Sequence, residues 1–209
     1  MNGGSRGEAY ENLHKTNNIF TDSDFSLSEE IINTSWNIEY ETRGYLRRFF
    51  RNLKEPNFYI KKLFDLVDEI NYDLRGTNDK EKIEVLNKKI LPKMKYKKGV
   101  SHITQILDKN HGNCVALSSL YLCVSENIGL NNLYVINIPR HVFLRYSNGS
   151  EIINIECTKN GENKENEEYI NDKKIKKYGK EIIERDVKIE KLPKAIMENV
   201  LENTYPNYK

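Results

Sequence analysis

The chain has 209 residues, enough for one well-cored domain or a domain with a helical appendage. Its 33 Lys and Arg stand against 31 Asp and Glu, so composition gives no reason to expect nucleic acid or an acidic membrane as partner. No run of about eighteen apolar residues occurs, which excludes a membrane-spanning helix.

The opening MNGGSRGEAYENLHKTNN lacks the apolar stretch of a secretory leader. Three cysteines, Cys114, Cys123 and Cys157, are too few and too odd in number for a disulfide framework. A reducing, cytoplasmic setting is favoured, with export behind a removed leader left open. Residues 1–24 read as a flexible polar tail and 25–209 as a single domain. The parts of that domain are a helical part (25–98), a core (99–161), and a charged loop followed by a C-terminal strand and helix (162–209).

Ser26 or Ser28 suits a helix cap, with Glu29 and Glu30 in the first turn and an apolar surface from Ile31, Ile32, Trp36, Ile38 and Tyr40. The helical pattern resumes at Tyr45, Leu46, Phe49, Phe50 and Leu53 and stops before Pro56. Phe58 to Leu74 is amphipathic and ends at Gly76, and Asp79 starts another helix that runs to Ile90. KMKYKK (Lys93 to Lys98) is a basic cluster, read as a solvated loop face with a substrate-facing patch as the alternative.

Next comes a short apolar segment (Ile103, Ile106, Leu107), and then the stretch Asp108 to Ile128. Its apolar residues lie on nearly all helical faces, which places that helix in the middle of a domain. Cys114 falls in its first turn, after Asn113 as cap. Free N–H groups and the positive end of the helix dipole favour the thiolate there, the nucleophilic form of the side chain.

Beyond Gly129 the pattern becomes β. LYVINI (Leu133 to Ile138) and HVFLRY (His141 to Tyr146) are strands separated by Pro139. Asn148-Gly149 is a hairpin turn, and IINIE (Ile152 to Glu156) returns. If Ser147 to Ser150 turns the chain, His141 faces Glu156. Lys159 to Lys180 reads as a loop with a short exposed helix around Tyr169 and Ile170, followed by a strand at Val187 to Ile189 and a helix opened by Pro193.

Cys114, His141 and Glu156 then form a nucleophile, a base and an orienting acid, the set that covalent acyl transfer needs. Gln105, Asn110 and Asn113 are candidates for a side-chain oxyanion donor beside the Cys114 N–H. His102, His111 and Cys114 lack the second short-spaced pair typical of zinc sites, so no metal is expected, and no other cofactor is implied. Cys123 and Cys157 read as small buried hydrophobes.

Gly112-Asn113-Cys114, Ile128-Gly129-Leu130, the strand from Pro139 through His141 to Arg145, and Glu156-Cys157-Thr158 together resemble the transglutaminase-like superfamily in its small bacterial branch. The resemblance runs from about Gly99 to Gly161. It implies an α+β, papain-like fold in which a nucleophile-bearing helix packs on an antiparallel sheet carrying the His and the acid. It also implies a Cys114-His141-Glu156 triad acting on an amide in a protein or peptide, as peptidase, amidase or transglutaminase.

Two departures stand out. Glu156 replaces the more usual Asp, and Lys159-Asn160-Gly161 stands where many relatives have a Gly-Gly pair. The alternative is a catalytically silent module that keeps the fold and binds a partner.

Overall fold

The computed structural model describes residues 26–44, 53–172, 176 and 186–187. The expected N-terminal tail, the helical pattern from Tyr45 to Phe50 and the terminal helix after Pro193 lie outside them. The described part is an α+β arrangement of helices followed by a small antiparallel sheet.

Helix α1 spans Leu27–Gly44. Ser26 is its cap: the Ser26 Oγ accepts from Glu29 N, and Glu29 Oε2 accepts from Ser26 N. Ser28 instead joins α1 to the central helix. Helix α2 (Pro56–Asn71) opens on proline, whose missing N–H costs nothing at a first turn. It buries Tyr59, Leu63, Val67 and Ile70 and exposes the face between them. Helix α3 (Asp79–Lys89) starts on a full capping box between Asn78 and Glu81, with Ile83 and Leu86 buried.

The basic cluster is partly ordered as strand β1 (Lys95–Tyr96). It pairs in parallel with β2 (His111–Gly112) across the short helix α4 (Ile103–Lys109). Neither strand was legible in the sequence. Helix α5 (Cys114–Asn127) is buried at every residue from Cys114 to Ser125, as expected for a helix apolar on all faces.

The sheet has strand order β5-β4-β3-β6, all antiparallel, from β3 (Leu133–Ile138), β4 (His141–Ser147), β5 (Ile152–Ile155) and β6 (Asp186–Val187). Of the strand expected over Val187 to Ile189, only Val187 is described. Leu133, Val135, Val142, Leu144, Tyr146, Ile153 and Ile155 share one sheet face and join the main core with α5. Ile136, Ile138 and Phe143 form a second cluster on the other face, closed by Tyr169 of helix α6 (Asn166–Ile170). Strand β4 is thus buried on both sides.

The hairpin between β4 and β5 differs from the expected register. Ser147 pairs with Ile152 and Leu144 with Ile155, so the connection is four residues long rather than two. The Asn148 side chain explains this: its Oδ1 accepts from Ser150 N at 3.0 Å and Glu151 N at 2.9 Å and stabilises the wider turn. A slip of two residues leaves every side chain on the face expected for it, whereas a slip of one would have reversed them all.

Candidate active site

Asn113 is fixed on every side. Its N–H donates to Val100 O, its Oδ1 accepts from Val115 N and Ala116 N, and its Nδ2 donates to Ser101 Oγ at 2.7 Å. Cys114 is therefore held in the first turn of α5, and its own N–H is left without a partner among the described residues. Gly112 sets how closely the lead-in approaches the helix. A Cβ there would lie 2.8 Å from the Ala116 Cβ and 3.0 Å from Ile106 Cδ1, which explains the glycine in Gly-x-Cys.

His141 is the first residue of β4, after a two-residue turn in which Pro139 is followed by Arg140 at φ 67. Its Nε2 donates to Glu156 Oε2 at 2.5 Å, and the Cys114 side chain is close enough to the ring to act on its protonation. Burial works to lower the His141 pKa, but its bonds to Cys114 and Glu156 outweigh burial and raise it to about 9. The imidazole is thus protonated at neutral pH.

Glu156 lies one residue past the end of β5. By continuation of the register it stands opposite Phe143, so it reaches His141 diagonally. The extra methylene of Glu over Asp suits that longer reach. The carboxylate is saturated. Oε1 accepts from Thr158 N at 3.2 Å and from Thr158 Oγ1 at 2.5 Å, while Oε2 accepts from His141 and from Tyr169 OH at 3.2 Å. Burial raises its pKa, yet His141 foremost, and then Thr158, hold it below the usual carboxylate value.

The Asn160-Gly161 pair does the conformational work of a Gly-Gly pair. Asn160 has φ 56 and Gly161 φ 77, and asparagine is among the few residues that enter the left-handed region readily.

Two of the three oxyanion candidates are engaged elsewhere. Gln105 Nε2 donates to the buried Glu39 at 2.9 Å, Asn113 is the cap just described, and Asn110 is an exposed left-handed C-cap of α4. His111 Nδ1 donates to Lys109 O, and no cluster suited to a metal occurs among the described residues. Cys123 and Cys157 are buried in the core, and burial raises both thiols far above the ordinary value.

Two residues near the site were missed in the sequence. Tyr169 was expected on an exposed helix but is 1% exposed, because its ring covers Phe143 and its hydroxyl meets Glu156. An aromatic residue isolated in so polar a run was the available signal. Tyr96 lies beside Cys114 on exposed β1. Burial and then the Cys114 charge raise its phenol.

The family model of the transglutaminase-like superfamily matches residues 57–200, well over half of the chain. The chain belongs to the transglutaminase-like superfamily. Comparison with curated proteins and with solved structures gave no match. The family match extends well beyond the motif-bearing core and takes in the helices from α2 onward.

Proposed function

We propose that this transglutaminase-like protein is a thiol-dependent acyl-transfer enzyme with a papain-like core that acts on an amide of a protein or peptide and transfers the acyl group to water. The reading rests on one observation: His141, paired at 2.5 Å with the Glu156 carboxylate, lies close enough to Cys114 at the head of the buried helix α5 for the two side chains to interact.

Cys114 Sγ attacks the amide carbonyl, and the thiol proton resides on His141. The Cys114 N–H, free of any internal partner among the described residues, donates to the developing oxyanion. His141 then gives its proton to the departing amine, leaving a thioester on Cys114. Water, deprotonated by His141, attacks the thioester and releases a carboxylic acid. A primary amine in place of water gives transamidation through the same thioester. Glu156 keeps the imidazole oriented and stabilises its charged form.

One observation favours the silent-module reading: Cys114 is only 6% exposed, with the Gln105 and Asn113 amides beside it already engaged within the protein. Incubation with a cysteine-directed acyl probe, followed by mass spectrometry of wild type, Cys114→Ala and His141→Ala, separates the two. The enzyme reading expects an adduct on Cys114 that disappears in the first variant and forms much more slowly in the second. A wild-type protein that folds but acquires no adduct supports the module.

A further inference from the structure

We propose that Tyr169 is a positioning residue for this site, acting through Glu156: its hydroxyl keeps the carboxylate ionised and turned toward His141. The proposal rests on the catalytic reading for its consequence, but its physical content concerns Glu156 alone.

The Glu156 carboxylate is clamped at both oxygens. Thr158 takes Oε1 through its N–H and hydroxyl, and Tyr169 takes Oε2, the oxygen that also meets His141. Tyr169 comes from a different element than either partner, so its placement needs its own support. Its ring stacks on Phe143 at 4.2 Å, with the planes 5° apart, and Phe143 stacks in turn beside His141 at 6.3 Å.

The chain leading to α6 is anchored through Asn154 and Arg145. Asn154 N donates to Asn163 Oδ1, and its Nδ2 donates to Lys164 O and to Asn166 Oδ1. The buried Arg145 donates to Asn154 Oδ1 and Asn166 Oδ1, each at 2.9 Å. A capping box between Glu165 and Glu168 then starts the helix. This polar network lies on the same sheet face as His141 and Phe143, and it carries the only described phenol bonded to Glu156.

The charged and titratable groups facing Glu156 are His141 from β4 with Cys114 behind it, Cys157 on its own turn, and Tyr169 with Lys164 and Glu168 around its ring. Tyr169→Phe keeps the stacked ring and removes one donor from the carboxylate. Losing a hydrogen bond to the charged form raises a carboxyl pKa.

The test follows the Glu156 side-chain carboxyl by carbon NMR across pH, together with the pH profile of Cys114 alkylation by iodoacetamide. In Tyr169→Phe the carboxyl midpoint moves up by about half a unit to one unit, and the acid limb of alkylation moves up with it. Replacing Tyr169 by 3,5-difluorotyrosine, a more acidic phenol and a stronger donor, moves both down.

A midpoint unchanged in Tyr169→Phe overturns the proposal and leaves Tyr169 as ring packing alone. Should that variant fail to fold, the fluorinated protein retains the hydroxyl, and an unchanged midpoint there overturns the proposal equally. If wild-type Cys114 does not alkylate at all, the catalytic reading falls, while the carboxyl titration still decides whether Tyr169 governs Glu156.

Discussion

Three cysteines lie in one core, but among the described residues only Cys114 has an imidazole beside it. Cys123 and Cys157 are fully enclosed, and burial pushes both thiols far up, so neither is a competent nucleophile near neutral pH. Brief alkylation at neutral pH, read by peptide mass spectrometry, is expected to modify Cys114 first, and dominant labelling of Cys123 or Cys157 would remove it from the mechanism.

His141 adds a second expectation. Its proton is the one given to the leaving amine, and its pKa is raised to about 9, so acyl-transfer rate should fall as pH rises through about 9. A profile that keeps rising beyond that point would mean His141 is not the acid. Glu156→Gln carries a structural cost as well as a chemical one. Two donors converge on each carboxylate oxygen. An amide nitrogen at either place therefore faces donors, at a cost of about 1–3 kcal/mol. Lower activity and a lower melting temperature are expected together, and unchanged values of both would show that the carboxylate is dispensable.

At the level of elements, the geometry of the site depends on close approach. Gly112 lets the β2 segment lie against α4 and α5, and a methyl group there must displace Ala116 or Ile106, both on helices that flank the nucleophile. Gly112→Ala is therefore expected to destabilise by about 1–3 kcal/mol, as overpacking of a filled interior does, and to slow Cys114 alkylation. Retained stability and reactivity would show that the helices shift freely.

The same comparison shows why some elements were legible and others were not. Helix α5 announced itself through apolar residues on nearly every face, and α3 through Asp79 followed by the helical spacing of Ile83, Leu86 and Ile90. The β4–β5 pairing was readable from alternation, but its register depended on a side chain, Asn148, that stabilises the wider turn, a choice that alternation does not encode. Strands β1 and β2 have two residues each and no periodicity to read. Within the candidate site, Cys114, His141 and Glu156 were singled out by residue type and order. Tyr169 was hidden because its burial comes from a polar network centred on Arg145 and Asn154, residues that look exposed in any linear pattern.

Across the whole molecule, distant segments converge on α5. The far end of α5 caps α1: Glu126 accepts from Leu27 N and Ser28 N at 2.7 and 2.8 Å, an anion placed at the positive end of a helix. Asn87 of α3 donates to Gly161 O and accepts from Tyr121 OH, linking that helix to the loop after Glu156. The His141–Glu156 pair is thus embedded in the global fold, and its titration is expected to appear in global stability.

The signs of the two contributions are opposite. The folded pKa of His141 lies above the unfolded value of about 6.5, so its contribution is complete below that pH and is lost as pH rises through about 9. The folded pKa of Glu156 lies below the unfolded value of about 4.3, so its contribution is complete above that pH and is lost as pH falls through the folded value. Both are fully present only between roughly pH 4.3 and 6.5. The difference in unfolding free energy between wild type and His141→Gln removes the titrations common to both chains. That difference should be largest within the window and shrink steadily from about pH 6.5 to about pH 9. Urea unfolding of the two proteins at several pH values measures it. A difference that stays flat from pH 6 to beyond about 9 would mean that His141 gains no proton affinity on folding, and the coupling of the site to the fold would be lost with it.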